Sequence, residues 1–100
     1  MDYKKFKRQP TTPGEILREE FLVPMNLTQK ELANHIGVDI KVINRLINNK
    51  TSISTELALK LASTFNTSPQ FWLNAQSALD LYYTYHDISE YLPSVIRKVS

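Results

Sequence analysis

The chain has 100 residues, of which 42% are hydrophobic, and its formal net charge is +2. This length supports one domain with a single modest core, and the apolar fraction is typical of a folded protein. The sequence contains no cysteine, which excludes disulfides and thiolate metal sites. No apolar stretch approaches the length of about 20 residues that spans a bilayer, and the N-terminus lacks the apolar run of a signal peptide. We therefore expect no membrane association and a cytoplasmic location.

Residues 1–12 are polar and basic and show no helical periodicity, which predicts a flexible N-terminal arm. Two aromatic side chains, Tyr3 and Phe6, make this arm more hydrophobic than a free tail requires. The cations of the arm are Lys4, Lys5, Lys7 and Arg8. The arm therefore differs in character from the helical segments that follow it.

A first helix begins directly after the arm. Thr12 can cap it, Pro13 fits the first helical position, and Glu15 can complete a capping box. The helix is expected to end near Val23, because Pro24 follows. Its buried stripe is predicted to contain Ile16, Leu17 and Phe21.

The next segment, up to residue 50, has the pattern of a helix-turn-helix. Thr28 and Glu31 form a capping box that opens the second helix, and Asp39 is a good N-cap for the third. Gly37 supplies the positive φ that the tight turn needs, and Ala33 lets the two helices cross closely. The apolar faces of the two helices are Leu32, Ala33 and Ile36 in one, and Ile43, Leu46 and Ile47 in the other. This combination indicates a DNA-binding motif.

Two more helices follow the motif. Ser54 caps a fourth helix, and Ser68 with Pro69 opens a fifth that runs to roughly His86. The remaining stretch is interrupted by Pro93 and fits either a helix or a loop. The apolar positions are Leu57, Leu61, Ala62 and Phe65 in the fourth helix, and Phe71, Trp72, Ala75, Ala78, Leu79 and Tyr82 in the fifth.

These elements predict an all-α fold of five helices with an extended C-terminal helix or tail. Residues 13–87 are expected to form the helix-turn-helix domain, and residues 88–100 a C-terminal segment that contributes to a dimer contact. One recognition helix covers only a few base pairs. We therefore expect a homodimer on a palindromic DNA site whose half-sites lie about 34 Å apart.

The third helix is expected to enter the major groove, because it is the second helix of the motif. Arg45 is the best candidate for a bidentate contact to guanine, and Lys41 can reach guanine or a phosphate. Ile40, near the edge of the buried stripe, and Val42 would contact a thymine methyl group. Asn44 can pair with adenine or can face along the backbone. The positions predicted to point away from the buried stripe are Lys41, Val42, Asn44, Arg45 and Asn48.

Other polar residues are expected to contact the DNA backbone. Gln29 lies at the positive end of the second helix, where it can bind a phosphate together with backbone N–H groups. Thr28 can do the same, although capping is the favoured role. Asn48 and Lys50 follow the recognition face and are expected to set register without reading sequence.

No combination of residues indicates an enzyme, a cofactor or a metal ion. His35 and His86 lack carboxylates at ligand spacing and are expected at the surface. The tyrosines near the C-terminus suit core or interface packing better than a platform for stacked bases, since each buries a large area with its hydroxyl at the edge. These tyrosines are Tyr82, Tyr83, Tyr85 and Tyr91.

Three segments together resemble the HigA-type antitoxins, which are helix-turn-helix proteins of the lambda-repressor-like fold in bacterial toxin–antitoxin modules. They are Pro-Gly-Glu-Ile-Leu-Arg-Glu-Glu-Phe-Leu at 13–22, Leu-Thr-Gln-Lys-Glu-Leu-Ala at 27–33 and Ser-Pro-Gln-Phe-Trp-Leu-Asn-Ala-Gln at 68–76. The first and third segments are specific to the family, whereas many repressors share the second. The resemblance covers about residues 12–80.

The resemblance implies two activities. The protein would neutralise a HigB-type toxin, a ribosome-dependent mRNA endonuclease of the RelE-like fold, and would repress its own operon as a homodimer with the toxin as co-repressor. By position, the residues that the family uses to contact DNA are Gln29, Lys41, Arg45 and Lys50. The segment Trp72-Leu73-Asn74 packs the fifth helix and is interpreted as structural.

Two features depart from the family pattern. Relatives often have a more basic third helix, so their operator sequence cannot be assumed for this chain. Relatives also often start close to the Pro-Gly-Glu segment. The additional arm suggests a segment that folds against the toxin or reaches a DNA groove, although a disordered chain start fits the same residues. A stand-alone or phage-type repressor remains an alternative function, as does a helix-turn-helix that binds only protein.

Overall fold

The computed structural model describes residues 8–97, which contain five helical regions and no strand. Residues 1–7 of the expected arm and residues 98–100 lie outside the described part of the chain. The elements are α1 (Pro13–Ile16), a π-helix (Leu17–Leu22) that continues it, α2 (Gln29–Ile36), α3 (Ile40–Ile47), α4 (Thr55–Phe65), α5 (Pro69–Ile88) and a 3₁₀ turn (Ser89–Tyr91). The predicted all-α fold of five helices is confirmed.

Each helix begins at the polar residue that the sequence predicted. The side chains of Thr12, Thr28, Asp39, Ser54 and Ser68 all accept a hydrogen bond from a backbone N–H in the first turn of their helix. Such a bond satisfies one of the donors that a helix leaves unpaired at its start. The first helix has only half of the expected capping box. Thr12 accepts from the N–H of Glu15 at 3.1 Å, but among the described residues the N–H of Thr12 does not donate to the Glu15 carboxylate in return.

The first helix differs from the α-helix that the sequence predicted. Its second part is a π-helix, in which the N–H of Val23 donates to the carbonyl of Arg18, five residues earlier, at 2.9 Å. The wider turn brings residues five apart onto one face. Leu17 and Leu22 are accordingly both buried, whereas Ile16 and Phe21 of the predicted stripe are only partly buried. Core packing therefore sets the local helix type here.

Residues in the left-handed backbone conformation end four of the helical regions. Gly37 has φ 73°, as predicted for the tight turn, and Asn26, Asn49 and Asn66 have φ between 52° and 56°. Glycine adopts this conformation freely, and asparagine tolerates it better than most other residues. Each of these residues thus sets the direction in which the chain leaves its helix.

All five helical regions contribute to the core, which includes the fully buried Trp72. Trp72 is 0% exposed, and its indole N–H donates to the Thr67 hydroxyl at 2.8 Å. Phe21, Phe65 and Phe71 surround it, with ring centroids 5.3, 6.4 and 5.0 Å from the indole. A buried indole whose N–H is paired contributes a large apolar area without leaving a polar group unsatisfied. The expected structural role of Trp72 is confirmed.

The C-terminal part of the described chain extends away from this core. Helix α5 ends at Ile88, two residues beyond the predicted end, and the 3₁₀ turn Ser89–Tyr91 is followed by irregular chain. Of the two conformations left open for this stretch, the structure therefore shows a short turn and then a loop. In residues 8–97 no helix combines the length and apolarity needed to cross a membrane.

Gly14 marks the closest approach between the start of the first helix and the end of α3. Gly14 is buried, and a Cβ atom on it would overlap the Leu46 carbonyl and lie 2.8 Å from the Cα of Ile47. Real Cβ atoms do not approach backbone this closely. Glycine is therefore required at this position because two backbones pass each other, a requirement that the sequence pattern did not reveal.

We expect Gly14→Ala to lower the free energy of unfolding by about 3 kcal/mol, because the added methyl group meets backbone atoms that cannot rotate away. Gly37→Ala is the matched control. Its Cβ would meet nothing within 4 Å, so only the left-handed φ opposes it, at a cost of about 1 kcal/mol. Urea denaturation of both variants measures the difference. A loss at Gly14 no larger than that at Gly37 would contradict the close backbone crossing.

Candidate DNA-binding surface

Helices α2 and α3 form the predicted helix-turn-helix. The turn between them contains Gly37, and Ala33 is buried where the helices cross. Leu32 on α2 and both Ile43 and Leu46 on α3 are almost completely buried in the common core. This burial fixes the rotation of α3 about its axis, and so fixes which of its side chains face outward.

The outward face of α3 presents polar side chains along its length. Lys41, Asn44, Arg45 and Asn48 are all exposed, and Ile40 is 44% exposed at the N-terminal tip. The predicted orientation of Val42 is wrong: it is partly buried and packs against the core. The reason is helical geometry, since Val42 lies four residues before the buried Leu46 and shares its face.

A hydrogen-bonded chain connects the start of α2 with this face of α3. The Asn44 side-chain amide donates to the Gln29 Oε1 at 3.3 Å. The Asn48 side-chain amide donates to the Asn44 carbonyl at 2.8 Å and lies 3.4 Å from the Asn44 Oδ1. The structure therefore brings together three of the residues that the sequence assigned to DNA contact. Asn44 is held by its neighbours rather than free to rotate.

Thr28 carries out the capping role that competed with DNA contact in the sequence interpretation. Its hydroxyl accepts from the N–H of Glu31 at 3.0 Å, and its own N–H donates to the Glu31 carboxylate at 3.1 Å. This complete capping box defines where α2 begins. Gln29 directly follows the cap and is partly buried, so its side chain is positioned by the same feature.

Two backbone hydrogen bonds close the end of α3. The N–H of Lys50 donates to the Arg45 carbonyl at 2.8 Å, and the N–H of Asn49 donates to the Leu46 carbonyl at 3.1 Å. With the left-handed φ of Asn49, these bonds form a Schellman motif. The backbone of Lys50 is thereby tied to that of Arg45.

No carboxylate of residues 8–97 forms a salt bridge with the basic side chains of this surface. Within residues 8–97 the salt bridges are Arg18 with Glu19 and Lys60 with Glu56, and neither involves α3 or Lys50. Lys41, Arg45 and Lys50 are all exposed. Exposed, unpaired cations on a rigid helix suit phosphate oxygens and the acceptor edge of guanine.

Gln76 supports this surface from α5, and the sequence pattern did not identify it. It is 8% exposed, and its Oε1 accepts from the backbone N–H of Ile53 at 2.9 Å, in the connection between α3 and α4. Its position in the sequence could have identified it, because Gln76 follows the buried Trp72 by four residues and precedes the buried Leu79 by three. A polar residue on such an apolar stripe needs a hydrogen-bond partner.

Residues 8–97 contain no group of three or more His, Cys, Asp or Glu side chains that could hold a metal ion. His35 and His86 are both exposed, as expected from the sequence.

Comparison with known proteins identifies the motif. A family profile described as helix-turn-helix matches residues 17–72, which include all the candidate DNA-contacting residues. The antitoxin HigA-1 of Vibrio cholerae is 43% identical over 81 residues, which are 81% of this chain and 76% of that protein. This chain belongs to the HigA-type antitoxin family of helix-turn-helix proteins.

Solved antitoxin structures share the fold as well. The antitoxin HigA of Pseudomonas aeruginosa, solved with the higBA promoter, superposes with a TM-score of 0.79 at 35% identity, covering 82% of this chain and 89% of that one. The antitoxin GraA in complex with its operator gives a TM-score of 0.80 at 34% identity, covering 90% and 95% of the two chains. The resemblance to HigA-type antitoxins drawn from the sequence is confirmed.

The capping box of α2 allows a direct test in this HigA-type protein. Thr28→Ala is expected to lower the free energy of unfolding by about 1 kcal/mol, because the N–H of Glu31 loses its acceptor. Thr28→Ser, which keeps the hydroxyl, is expected to stay close to the wild type. Chemical denaturation checks both variants, and an alanine variant as stable as the serine variant would contradict the capping role.

Proposed function

We propose that this HigA-type protein is an antitoxin that binds operator DNA, represses its own operon as a homodimer and neutralises a HigB/RelE-like mRNA endonuclease. It acts in the cytoplasm by binding, without catalysing a reaction. The proposal rests on family membership and on one observation above the others. Helix α3 presents exposed cations that form no salt bridge within residues 8–97, on a face whose orientation the core fixes.

In the proposed complex, α3 lies in the major groove with its outward face against the bases. Arg45 donates to guanine, Lys41 contacts guanine or a phosphate, and Ile40 contacts a thymine methyl group. Asn44 reads a base only in partnership with Gln29, which holds its amide. Val42 contributes by packing α3 rather than by contacting a base, since it is partly buried.

The remaining residues of the proposed site hold the DNA backbone. Gln29 and the first N–H groups of α2 bind a phosphate, because both lie at the positive end of that helix. Thr28 contributes through the cap that sets this geometry. Lys50 and Asn48, at the other end of α3, bind the backbone on the far side of the groove and fix the register.

The proposed dimer uses the C-terminal part of the chain. Apolar side chains are exposed in the last part of α5 and beyond it, and Val95 and Ile96 are 82% and 93% exposed. Contiguous exposed apolar area marks an interaction surface. The exposed apolar residues of this part are Ile88, Tyr91, Leu92, Val95 and Ile96. A second copy of the chain would cover them and would place two recognition helices on a two-fold operator.

DNA binding is expected to depend on salt and on Arg45. Arg45→Ala should weaken binding to a duplex taken from immediately upstream of the gene by about 1–3 kcal/mol and relax the preference at one base pair. Lys60→Ala, which removes a cation from α4, is the matched control and should bind as the wild type does. Fluorescence anisotropy over a range of salt concentrations measures both variants, with two chains expected per duplex. Affinity that changes neither with salt nor with Arg45→Ala would instead favour a domain that binds only protein.

Co-expression tests the antitoxin activity. The small open reading frame next to this gene should arrest growth when expressed alone, and this protein should restore growth and co-purify with its product. Arg45→Ala is the informative companion variant, since it should lose operator binding yet still restore growth. A harmless neighbour, or a product that does not co-purify, would leave the function of a dimeric repressor without a toxin partner.

A further inference from the structure

Helix α5 carries three polar side chains that face the connection between α3 and α4. Gln76, Asp80 and Tyr83 are spaced four and three residues apart, so they lie along one face of the helix. We call these three residues the polar stripe, and residues 48–54 the α3–α4 loop. Together they line a shallow groove that also includes Lys50.

Gln76 holds the far end of the α3–α4 loop. Its Oε1 accepts from the buried backbone N–H of Ile53 at 2.9 Å, and its side-chain amide donates to the Asp80 carboxylate at 2.9 Å. Asp80 therefore sets which way the Gln76 amide points, so that the oxygen faces the loop. Because Ile53 and Gln76 are both buried, water cannot easily replace this hydrogen bond.

Tyr83 holds the near end of the same loop. The Asn49 side-chain amide lies 3.5 Å from the Tyr83 hydroxyl, and the Asn49 backbone is fixed in the left-handed conformation. Lys50 follows directly, and its N–H is bonded to the Arg45 carbonyl. The loop is thus anchored by α5 on both sides of Lys50, while the Lys50 side chain remains exposed.

We propose that Gln76 is a positioning residue for DNA binding: it orients the α3–α4 loop so that Lys50 meets a backbone phosphate. This inference rests on the proposed DNA-binding function and deepens it. Gln76 does not contact DNA itself. It acts from α5, and its effect on affinity passes through Lys50.

The test begins with a variant that removes both Gln76 hydrogen bonds without changing the net charge. Gln76→Met is nearly isosteric and leaves the Ile53 N–H without its acceptor. We expect it to bind the upstream duplex about five- to tenfold more weakly than the wild type, because each protomer would no longer hold one backbone phosphate. Amide hydrogen exchange at Lys50 should become faster at the same time.

A reciprocal pair of substitutions should restore binding. In the double variant Gln76→Glu with Asp80→Asn, the introduced carboxylate accepts from Ile53 and the introduced amide donates to that carboxylate. Both hydrogen bonds are kept, with donor and acceptor exchanged between positions 76 and 80, and the net charge equals that of the wild type. We expect affinity within about twofold of the wild type. Failure of this pair to restore binding would overturn the proposal.

A double-mutant cycle distinguishes positioning from general support of the fold. Lys50→Ala alone should weaken binding about as much as Gln76→Met, and adding Gln76→Met to Lys50→Ala should weaken it no further. Leu73→Ala, a partly buried apolar position on the same helix, is the stability control: it should destabilise the fold without weakening binding at a temperature where it stays folded. A Gln76→Met effect that is equally large on the Lys50→Ala background would overturn the proposed route.

If Gln76→Met does not fold, Tyr83→Phe replaces it, because Tyr83→Phe removes the hydrogen bond to Asn49 at an exposed position. This variant should weaken binding about two- to threefold, and only when Lys50 is present.

Two further outcomes are decisive. Wild-type protein that binds neither the upstream duplex nor a scrambled duplex of equal length would overturn the DNA-binding proposal and this inference with it. Wild-type binding that Gln76→Met and Tyr83→Phe both leave unchanged would overturn this inference alone.

Discussion

The burial of Ile43 and Leu46 in the core is the interaction on which the DNA-binding surface depends. Helices α2 and α3 have eight residues each, fewer than the roughly 12–15 that an isolated helix needs to be even marginally stable in water. Neither helix would persist without tertiary packing. The apolar face of α3 therefore does two things at once: it keeps the segment helical and it sets which side chains point outward.

Polar groups at the helix ends define where each helix starts and stops, in addition to the packing of the core. Five side-chain caps fix where the helices start, and left-handed residues at Asn26, Gly37, Asn49 and Asn66 fix where helical regions end. The connections between helices are short, so an error at one end would displace the next helix. A surface assembled from two short helices can hold a defined geometry because its boundaries are specified residue by residue.

The features that depend on local chemistry were predictable from the sequence. The caps at Thr28 and Asp39 and the positive φ of Gly37 follow from residue types at neighbouring positions, and each is found in the structure. The family was identified in the same way, from short segments of defined order. The outward orientation of Lys41 and Arg45 on α3 was predicted as well, because the apolar pattern defines the opposite face.

Apart from Val42, whose position four residues before Leu46 on α3 already indicates the buried face, the features that the sequence did not predict depend on contacts between distant segments. The π-helix forms where Leu17 and Leu22 must both be buried, and the requirement for Gly14 arises from a helix more than thirty residues away. Gln76 pairs with Ile53 across 23 residues of sequence. No pattern within one helix contains this information.

The hydrogen bond between Gln29 and Asn44 also bears on how such a protein changes its target. Asn44 lies on the recognition helix and Gln29 on the helix before it, yet the amide of one is oriented by the oxygen of the other. A substitution at either position alters the hydrogen-bonding groups that the other presents to its neighbour or to DNA. If the proposed DNA contacts hold, positions 29 and 44 act as one unit, and a shift to a new operator is expected to change them as a pair during divergence.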